Sequence, residues 1–441
     1  MSLHEDASTL FTGFSKLNLE ERLARLHAMG ALSKDDVQQL KKQAVPPTSL
    51  AESFIENVIG YFPLPLGVAA NMCIDGVNYA IPMAVEETSI IAALSKTARW
   101  IKQHGEISTR ISGEVIIGQI QIAVVNDVDK LRAILEEHKS SLIASANDNV
   151  APGFVRRGGG VEDISLRTLA RPDGRTMAVI HITVNPCDAM GANVVTQICE
   201  FLKTPIEHLS GETVTMCILS NLNDQKLTTA TVILRNIDPA IGKGIQEASY
   251  FAELDPYRAA THNKGILNGM DPIALATGND WRAVEAGIHA YACKDGQYSP
   301  ISTWRMKGSD LIGTLTAPIV VGTVGGVTNL HPTAKMSLAM LGVKHAHELS
   351  RIIAAVGLVQ NLGALTALTT FGFIEGHMRL HIKNLCLNTD ASESEIPFLQ
   401  SKLEELLALS NRITLSCAWQ ALKELRGRTT HAANRADLCE D

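Results

Sequence analysis

Several features that would point to other classes of protein are missing from this sequence. Positive charge is not in excess, because 39 basic and 46 acidic residues give a net charge of −7, and this argues against a nucleic-acid surface. The eight cysteines form no Cys-x-x-Cys pair and lie near no histidine at metal-ligand spacing, so we expect reduced, buried thiols. The first residues are acidic and lack the regions of a signal peptide, so we expect a cytoplasmic protein.

Long apolar runs without polar interruption are also missing. Residues 311–330 and 352–374 carry no charge, but the first contains Pro318 and several glycines, and the second contains Gln360, Asn361 and several threonines. Neither is flanked by basic clusters. Both are therefore predicted to be buried core segments, and no membrane partner is expected.

Changes in residue pattern along the 441 residues predict more than one domain. Residues 1–110 and 220–375 are predicted to form two parts of a large, mixed helical domain. Residues 111–219 follow the order β-α-β-β-α-β, which predicts a small ferredoxin-like insert. No Gly-x-Gly-x-x-Gly occurs in a strand–turn–helix setting, so the insert is not of the Rossmann type. Residues 376–441 are predicted to be a charged helical segment, and the predicted fold class is α+β.

The most informative stretch runs from Asp255 to Gly287 and contains Lys264 and Asp280. A lysine beside carboxylates can stabilise an oxyanion and move protons at neutral pH. A surface lysine and a helix N-cap aspartate are the structural alternatives. The residues around Lys264 are small or weakly polar, which suits a packed site better than an exposed face.

Two further positions carry possible acid–base groups. Glu87 precedes an apolar helix, where a carboxylate could simply favour the helix N-terminus. His377 and His381 are four residues apart, a spacing that can hold a metal on a helix. The glutamate found inside such a pair in zinc hydrolases is missing, and no third ligand suggests itself, so no metal is predicted.

Two glycine-rich segments could approach a phosphate. Asp188–Asn193 follows a predicted strand and opens a helix, and Gly322–Thr328 is a second such loop. Small residues let phosphates reach the amides of a helix N-terminus. Ordinary turns are the alternative for both segments.

Five motifs together closely resemble 3-hydroxy-3-methylglutaryl-coenzyme A reductases of the soluble class II form, typical of bacteria and archaea. The resemblance runs from about residue 50 to about residue 385. Thr88 stands where the family frequently has proline. The motifs, in order, are Glu56-Asn-Val-Ile-Gly60, Pro82-Met-Ala-Val-Glu-Glu87, Asp188-Ala-Met-Gly-Ala-Asn193, the Asp255–Gly287 block and Gly376-His-Met378.

The resemblance implies an NAD(P)H-dependent, two-step, four-electron reduction of 3-hydroxy-3-methylglutaryl-CoA (HMG-CoA) to mevalonate and coenzyme A, or the reverse oxidation. It makes Glu87 the proton donor, Lys264 the electrophile and Asp280 the group that tunes both. His377 would protonate the departing thiolate from a C-terminal flap that closes over the site.

The resemblance also assigns binding residues. Substrate contacts are expected from Ser89, Arg258, Asn268 and Asn361, with Arg258 suited to a free carboxylate. The large domain would bind the substrate and the insert would bind the cofactor. The expected cofactor contacts are Asp188, Ala189, Met190, Gly191, Ala192, Asn193, Gly322, Gly325 and Gly326.

The choice of cofactor depends on a third loop. Relatives that prefer NAD can carry an aspartate at about the position of Ala151, where it would repel a 2′-phosphate. Alanine removes that repulsion, and Arg156 and Arg157 could add attraction. NADPH is therefore the favoured cofactor, and NADH stays possible.

The resemblance further implies a homodimer or a larger homo-oligomer with the active site at the subunit interface, near Glu56–Gly60. Two rival functions stay open. A related acyl-CoA or hydroxy-acid oxidoreductase is disfavoured by the presence of Ser89, Arg258 and Asn268. A non-catalytic protein that binds coenzyme A ligands is disfavoured because all four proposed catalytic residues are present.

Overall fold

The structure is a computed structural model that describes residues 11–42, 45–370, 382, 385–410 and 413–436. The fold is mixed α+β, as predicted. The strands are β1 Leu66–Ile74, β2 Val77–Ala84, β3 Gly105–Ser112, β4 Ile116–Ile122, β5 Gly160–Ala170, β6 Thr176–Asn185, β7 Met216–Leu219, β8 Leu227–Leu234, β9 Ser302–Lys307 and β10 Asp310–Pro318.

Helices account for most of the remaining described chain. A short 3-10 helix, Phe14–Lys16, precedes them. The α-helices are α1 Leu19–Ala28, α2 Lys34–Lys42, α3 Thr48–Ala51, α4 Ile90–His104, α5 Val128–Asn149, α6 Pro152–Val155, α7 Ala192–Ser210, α8 Pro239–Leu254, α9 Pro256–Ala276, α10 Trp281–Ala292, α11 Gly326–Leu330, α12 Pro332–Leu341, α13 Ala346–Thr369, α14 Ile396–Ser410 and α15 Leu415–Ala436.

The larger part of the molecule is built on an antiparallel sheet in the order β3-β8-β10-β9, with β1 and β2 forming a separate antiparallel pair. Along β10, buried side chains alternate with half-buried ones, as expected when one face of a strand packs on a core. Helices α4, α9 and α13 contribute to the same large hydrophobic core. This core holds the elements that carry the candidate site.

Helix α13 lies at the centre of that core. It is the one helix of the described residues that is long and apolar enough to cross a membrane, and 67% of the apolar stretch is buried inside the protein. Its buried side chains include Leu349, Val356 and Leu362. Within the described residues, the segment predicted as buried core is therefore packed in the core.

Glycines bring α9 and α13 close together. A Cβ at Gly269 of α9 would lie 2.8 Å from Gln360 Cβ, and a Cβ at Gly357 of α13 would lie 2.8 Å from Met270 Cγ. Both distances are too short for side chains, so each glycine leaves room for a residue of the other helix. This close packing places Gln360 and Asn361 beside α9.

A second unit follows the element order β4-α5-β5-β6-α7-β7. Its strands form one antiparallel sheet in the order β5-β6-β4-β7. Helices α5 and α7 pack on this sheet around a hydrophobic core of their own. A unit with its own core can hold a ligand-binding loop in a fixed position.

Helices α14 and α15 pack against each other around a small cluster that includes Leu399, Leu403 and Leu422. The predicted boundary at residue 376 lies outside the described residues. The seven cysteines in the described part of the chain are free thiols.

Candidate active site

One cavity of about 1090 Å³ lies between α4, α9 and α13. One face of α4 along its whole length, one face of α9, the C-terminal half of α13 and the segment from Arg235 to Ile241 contribute to its walls. Six residues predicted from the sequence line it, and they are Glu87, Ser89, Arg258, Lys264, Asn268 and Asn361.

Lys264 and Glu87 form an ion pair in this cavity, with 3.3 Å between Lys264 Nζ and Glu87 Oε2. The side chains are 62% and 43% exposed. Ion pairs this exposed add only about 0–1 kcal/mol to stability. The pair therefore contributes little to folding and leaves a cation and a carboxylate open to a ligand.

Ser89 occupies the N-cap position of α4 in a left-handed conformation, with φ of +78°. Such a backbone conformation costs a non-glycine residue about 1–3 kcal/mol, and it is concentrated at functional sites. The strained turn carries Ser89 and Glu87 into the same cavity.

Arg258 lies in the first turn of α9 and is about half-buried. Burial lowers the pKa of its guanidinium. Within the described residues, no hydrogen bond or ion pair joins the Arg258 side chain to a protein group. A half-buried guanidinium without a carboxylate partner is suited to bind an anion, because it is weakly hydrated and carries several donors.

Asp280 is the N-cap of α10 in the structure. Its Oδ1 accepts hydrogen bonds from the backbone amides of Arg282 and Ala283, at 3.1 and 3.3 Å, and from Arg282 Nε at 3.2 Å. In the described part of the chain no hydrogen bond links Asp280 to Lys264 or Glu87. The predicted tuning role of Asp280 stays a prediction.

A different carboxyl pair, which the sequence analysis missed, lies near Lys264. Asp271 is seven residues after Lys264 on α9, or about two helical turns. Burial and the neighbouring Glu285 carboxyl, which is hydrogen-bonded to Asp271, raise the pKa of Asp271 to about 8, while Lys264 opposes the rise. The separation of seven residues was a usable signal for a position on the same face of α9.

A buried polar network, also missed apart from Asn361, lies in the cavity wall. His262 Nε2 is 2.7 Å from Ser302 Oγ and 3.2 Å from Asn361 Nδ2. Asn361 Oδ1 accepts from Trp304 Nε1 at 2.7 Å and lies 3.0 Å from Ser302 Oγ. Burial and the charge of Arg258 lower the pKa of His262 to about 3, so the imidazole is neutral near pH 7.

The two glycine-rich segments meet in the structure. The amide of Thr323 donates to the carbonyl of Asp188 at 2.9 Å, and Ala189 forms an isolated bridge with Val324. A Cβ at Gly322 would lie 2.6 Å from the amide nitrogen of Met190. Glycine is therefore required at position 322 for this close approach.

Two other residues support these loops. Asn279 brackets Gly322, since its Oδ1 accepts from the amide of Gly322 at 2.7 Å and its Nδ2 donates to the carbonyl at 3.1 Å. Gly191 caps α7 with φ of +88°, a conformation that glycine adopts without strain. The first amides of α7 thus begin beside the paired loops, where a helix favours an anion.

The Asp188 carboxylate is hydrogen-bonded to groups of the protein itself. It accepts from the amide of Ala346 at 2.9 Å and lies 3.1 Å from His345 Nδ1. Burial alone would raise the pKa of Asp188, but these hydrogen bonds lower it. Asp188 therefore joins its loop to the start of α13, while direct contact with a cofactor stays a prediction.

The predicted cofactor-selecting loop lies beside the same segment, because Cys187 Sγ is 3.8 Å from the carbonyl of Phe154. Ala151 is fully buried in the core of the small unit. Arg156 and Arg157 are exposed, and Arg157 lies over the ring of Phe154. Of these three residues, only the arginines are exposed.

His377 and His381 lie outside the described residues. The predicted thiolate protonator, and the predicted absence of a metal at this histidine pair, stay predictions.

The site and fold can be compared with known proteins. A sequence model of the family described as Hydroxymethylglutaryl-coenzyme A reductase matches residues 18–382. The 3-hydroxy-3-methylglutaryl-coenzyme A reductase of Archaeoglobus fulgidus is 40% identical over 425 residues, covering 95% of this chain and 95% of that protein. The probable reductase of Borreliella burgdorferi is 32% identical over 383 residues, covering 85% and 87%.

Solved structures of reductases of this kind also match the fold of this chain. A class II 3-hydroxy-3-methylglutaryl-CoA reductase from Streptococcus pneumoniae, bound to NADPH in open conformations, matches with a TM-score of 0.79 and 37% identity over 82% of this chain and 100% of that chain. A second structure of the reductase from S. pneumoniae has a TM-score of 0.80 and 37% identity, covering 94% of this chain and 99% of that chain.

These matches cover most of both chains. The chain belongs to the hydroxymethylglutaryl-coenzyme A reductase family. Within that family it is of class II, the bacterial and archaeal type.

Proposed function

We propose that this protein catalyses the reduction of HMG-CoA to mevalonate and coenzyme A with two molecules of NADPH or NADH, or the reverse oxidation. The observation that carries the proposal is the Lys264–Glu87 pair, 3.3 Å apart, in one cavity with Arg258, whose side chain has no protein partner among the described residues. Reduction of a thioester with a free carboxylate needs an electrophile, a proton donor and an anion anchor. Lys264, Glu87 and Arg258 supply these three functions.

Each group has a defined task in the first reduction. Bound NADPH or NADH would supply a hydride to the thioester carbonyl carbon. Lys264 donates a hydrogen bond to the carbonyl oxygen and stabilises the negative charge that develops there. Glu87, next to Lys264, supplies the proton that this oxygen takes up. Arg258 fixes the other end of the acyl group through its carboxylate, which holds the carbonyl in place.

The hemithioacetal that results then gives its hydroxyl proton back to Glu87 as it loses coenzyme A as a thiolate, and this anion must be protonated. We assign that step to His377 from the resemblance of its motif. The aldehyde that remains accepts the second hydride at the same position, with Lys264 and Glu87 acting again. Two hydrides and two protons balance the conversion of the thioester to a primary alcohol and a thiol.

We also propose that the small unit is a ferredoxin-like cofactor domain inserted into a substrate-binding large domain. Its element order and its fully antiparallel sheet support this interpretation. Gly191, Gly322 and the N-terminus of α7 would hold the pyrophosphate. NADPH is the favoured cofactor, supported by the exposed arginines at 156 and 157 and by the NADPH-bound relative from S. pneumoniae.

The assembly and location are further proposals. A homodimer or larger homo-oligomer is supported by exposed apolar side chains next to the predicted subunit junction, among them Ile59 and Phe62. A cytoplasmic location agrees with the burial of α13 in the core.

The direct test follows thiol release from HMG-CoA with NADPH and NADH in parallel, and identifies the product. Release that depends on the cofactor and yields mevalonate supports the proposal. Acetyl-CoA and 3-hydroxybutyryl-CoA serve as controls, because their acyl groups lack the free carboxylate that Arg258 would bind. Equal turnover of these controls would favour a broader acyl-CoA oxidoreductase, and ligand binding without turnover would favour a binding protein.

A further inference from the structure

Asn279 joins the turn between α9 and α10 to the second glycine-rich loop. It immediately precedes Asp280, the N-cap of α10, and it is half-buried. Its Oδ1 lies 2.7 Å from the backbone nitrogen of Gly322, and its Nδ2 lies 3.1 Å from the carbonyl oxygen of Gly322. One side chain therefore holds both backbone polar groups of a loop residue, as the opposite residue of a neighbouring β-strand would.

The partners fix the orientation of the Asn279 amide. A backbone N–H can only donate and a carbonyl can only accept, so the oxygen of Asn279 must face the nitrogen of Gly322 and the NH₂ group must face its carbonyl. The second hydrogen of this NH₂ group is donated to Thr277 Oγ1 at 3.0 Å. Thr277 is fully buried, and its hydroxyl donates to the carbonyl of Ile273 at 2.8 Å, so its oxygen can accept from Asn279. Each contact therefore pairs a donor with an acceptor.

Asn279 is anchored on both sides. On one side lies the end of α9, because the backbone amide of Asn279 donates to the carbonyl of Ala274 at 2.8 Å. On the other side, Gly322 packs so closely on Met190 that a Cβ at position 322 would lie 2.6 Å from the Met190 amide nitrogen. Asn279 thus links the end of a core helix to the segment Asp188–Asn193 through a single glycine.

We propose that Asn279 is a positioning residue that holds Asp280 in a fixed place relative to the two glycine-rich loops of the proposed cofactor site. The proposal rests on the proposed function, since it concerns the alignment of groups in the same reaction. Both amide hydrogens of Asn279 are bonded to the protein, so the residue has no donor left for a cofactor and acts through its neighbours. Such support sets reaction geometry, and a misplacement of about 1 Å can lower a rate about 10²-fold.

Two variants and one matched control test this role. Asn279→Ala removes all three side-chain hydrogen bonds, whereas Thr277→Val removes the hydroxyl that accepts from Asn279 and keeps the β-branched shape. Asn147→Ala is the control, because Asn147 holds both backbone polar groups of Val161 in the same way, at 2.7 and 3.1 Å, inside the small unit. Melting temperatures of all three variants report any general loss of stability.

The main readout is the rate of hydride transfer in single turnovers with saturating HMG-CoA and NADPH, followed by the absorbance of the reduced cofactor. Slowing of the observed phase with [4,4-²H₂]NADPH identifies it as hydride transfer. For Asn279→Ala we expect the rate to fall about 10- to 100-fold, because Asp280 and the loops lose their alignment. Thr277→Val should lower it by about 2- to 10-fold, as for loss of one hydrogen bond. Asn147→Ala should keep the wild-type rate.

Binding and local structure are measured separately, without turnover. The Kd of NADPH, from fluorescence titration, should rise far less in Asn279→Ala than the rate falls. The inhibition constant of mevalonate should not change, since Asn279 and Thr277 are not among the described residues that line the large cavity. In the protein without ligands, hydrogen exchange of the Gly322 amide should be faster in Asn279→Ala than in wild type, because its acceptor has been removed.

Three outcomes would overturn the proposal. An unchanged rate would show that Asn279 has no part in the alignment, and a loss of NADPH affinity as large as the loss of rate would show that it acts in binding the cofactor. Equal losses of rate in Asn279→Ala and Asn147→Ala would show a general effect of stability. If Asn279→Ala does not fold, the same comparison is made with Thr277→Val.

The wild-type protein separates this proposal from the one on which it rests. Wild-type protein that turns over HMG-CoA, with variants that give one of the three contrary outcomes, refutes only the role of Asn279. Wild-type protein that neither turns over HMG-CoA nor binds mevalonate refutes the proposed function itself.

Discussion

Lys264 Nζ lies 3.3 Å from Glu87 Oε2, although the two residues are 177 positions apart in the sequence. The turn before α4 and the third turn of α9 bring them together on one side of the cavity. Because both side chains are substantially exposed, the attraction between them contributes little to the free energy of unfolding. We therefore expect the Lys264–Glu87 pair to act in catalysis and not in stabilising the fold.

Lys264→Ala should lower kcat/KM for HMG-CoA by about 10²- to 10³-fold, as for loss of a donor to a developing oxyanion. The melting temperature should hardly change, since the ion pair is exposed. Steady-state kinetics and thermal unfolding check both parts, with Lys307→Ala as the control, an exposed lysine outside the cavity. Activity within tenfold of wild type would show that Lys264 does not act in the chemical step.

Glu87→Gln should reduce kcat by about 10²- to 10⁴-fold, because glutamine keeps the size of the side chain but is not a proton donor of useful acidity. The adjacent Glu86→Gln is a matched control, since Glu86 is exposed and does not line the cavity. Equal losses in the two variants would show that the local charge, and not the carboxyl of Glu87, is what matters.

Gly322→Ala should weaken binding of NADPH while leaving affinity for mevalonate unchanged. An alanine Cβ would lie 2.6 Å from the Met190 amide nitrogen, so the paired loops would have to separate. Titration of NADPH fluorescence measures the first ligand and calorimetry the second. Unchanged affinity for NADPH would place the cofactor elsewhere.

Asp271→Asn should stabilise the protein increasingly as the pH rises. Burial and Glu285 raise the pKa of Asp271 to about 8 from the ordinary value of 3.8. Between those values the folded state holds a proton that the unfolded chain has released, so the free energy of unfolding of the wild type falls as pH rises through this window. Asparagine does not titrate, and its N–H₂ can donate to Glu285.

The measurement for Asp271 is denaturant unfolding at pH 5 and at pH 9. The difference between variant and wild type should grow by about 1–3 kcal/mol over this range. Asp295→Asn, at an exposed position, should show no such trend. A constant difference across pH would mean that Asp271 is ionised throughout.

Replacing Arg156 and Arg157 together by alanine should raise the KM for NADPH and leave the KM for NADH nearly unchanged. The two arginines are exposed beside the glycine-rich loops, and a 2′-phosphate is the one charge by which the cofactors differ. Parallel kinetics with both cofactors measure the effect. Equal changes with NADPH and NADH would show that the arginines do not select the cofactor.

The sequence predicted those parts of the fold that depend on local signals. Asp188–Asn193 was predicted to follow a strand and to open a helix, and in the structure it lies between the end of β6 and the start of α7 at Ala192. The segment from residue 352 onwards, with amides and glycines among its apolar residues, was predicted to be core and packs there as α13. One motif alone would be a weak signal, but five motifs in the family's order, the longest running from Asp255 to Gly287, were enough to identify the family.

The pairings between distant segments could not be predicted in the same way. The hydrogen bond between Asp271 and Glu285 depends on how α9 and α10 pack, and no local pattern encodes that distance. The buried network of His262, Ser302, Asn361 and Trp304 likewise joins residues of α9, β9 and α13, and these meet only in the folded protein. Asp280 is different, because a helix N-cap is a local feature: the sequence analysis gave it as the structural alternative for Asp280, and the structure has Asp280 as the N-cap of α10.

The most direct test of the central claim is the stoichiometry of the reaction with purified protein. Reduced cofactor consumed and coenzyme A released from HMG-CoA are measured in the same reaction, for wild type and for Lys264→Ala. The account predicts about two reduced cofactors per thiol for the wild type and loss of both signals in the variant. One cofactor per thiol, or no turnover by a folded wild-type protein with either cofactor, would contradict it.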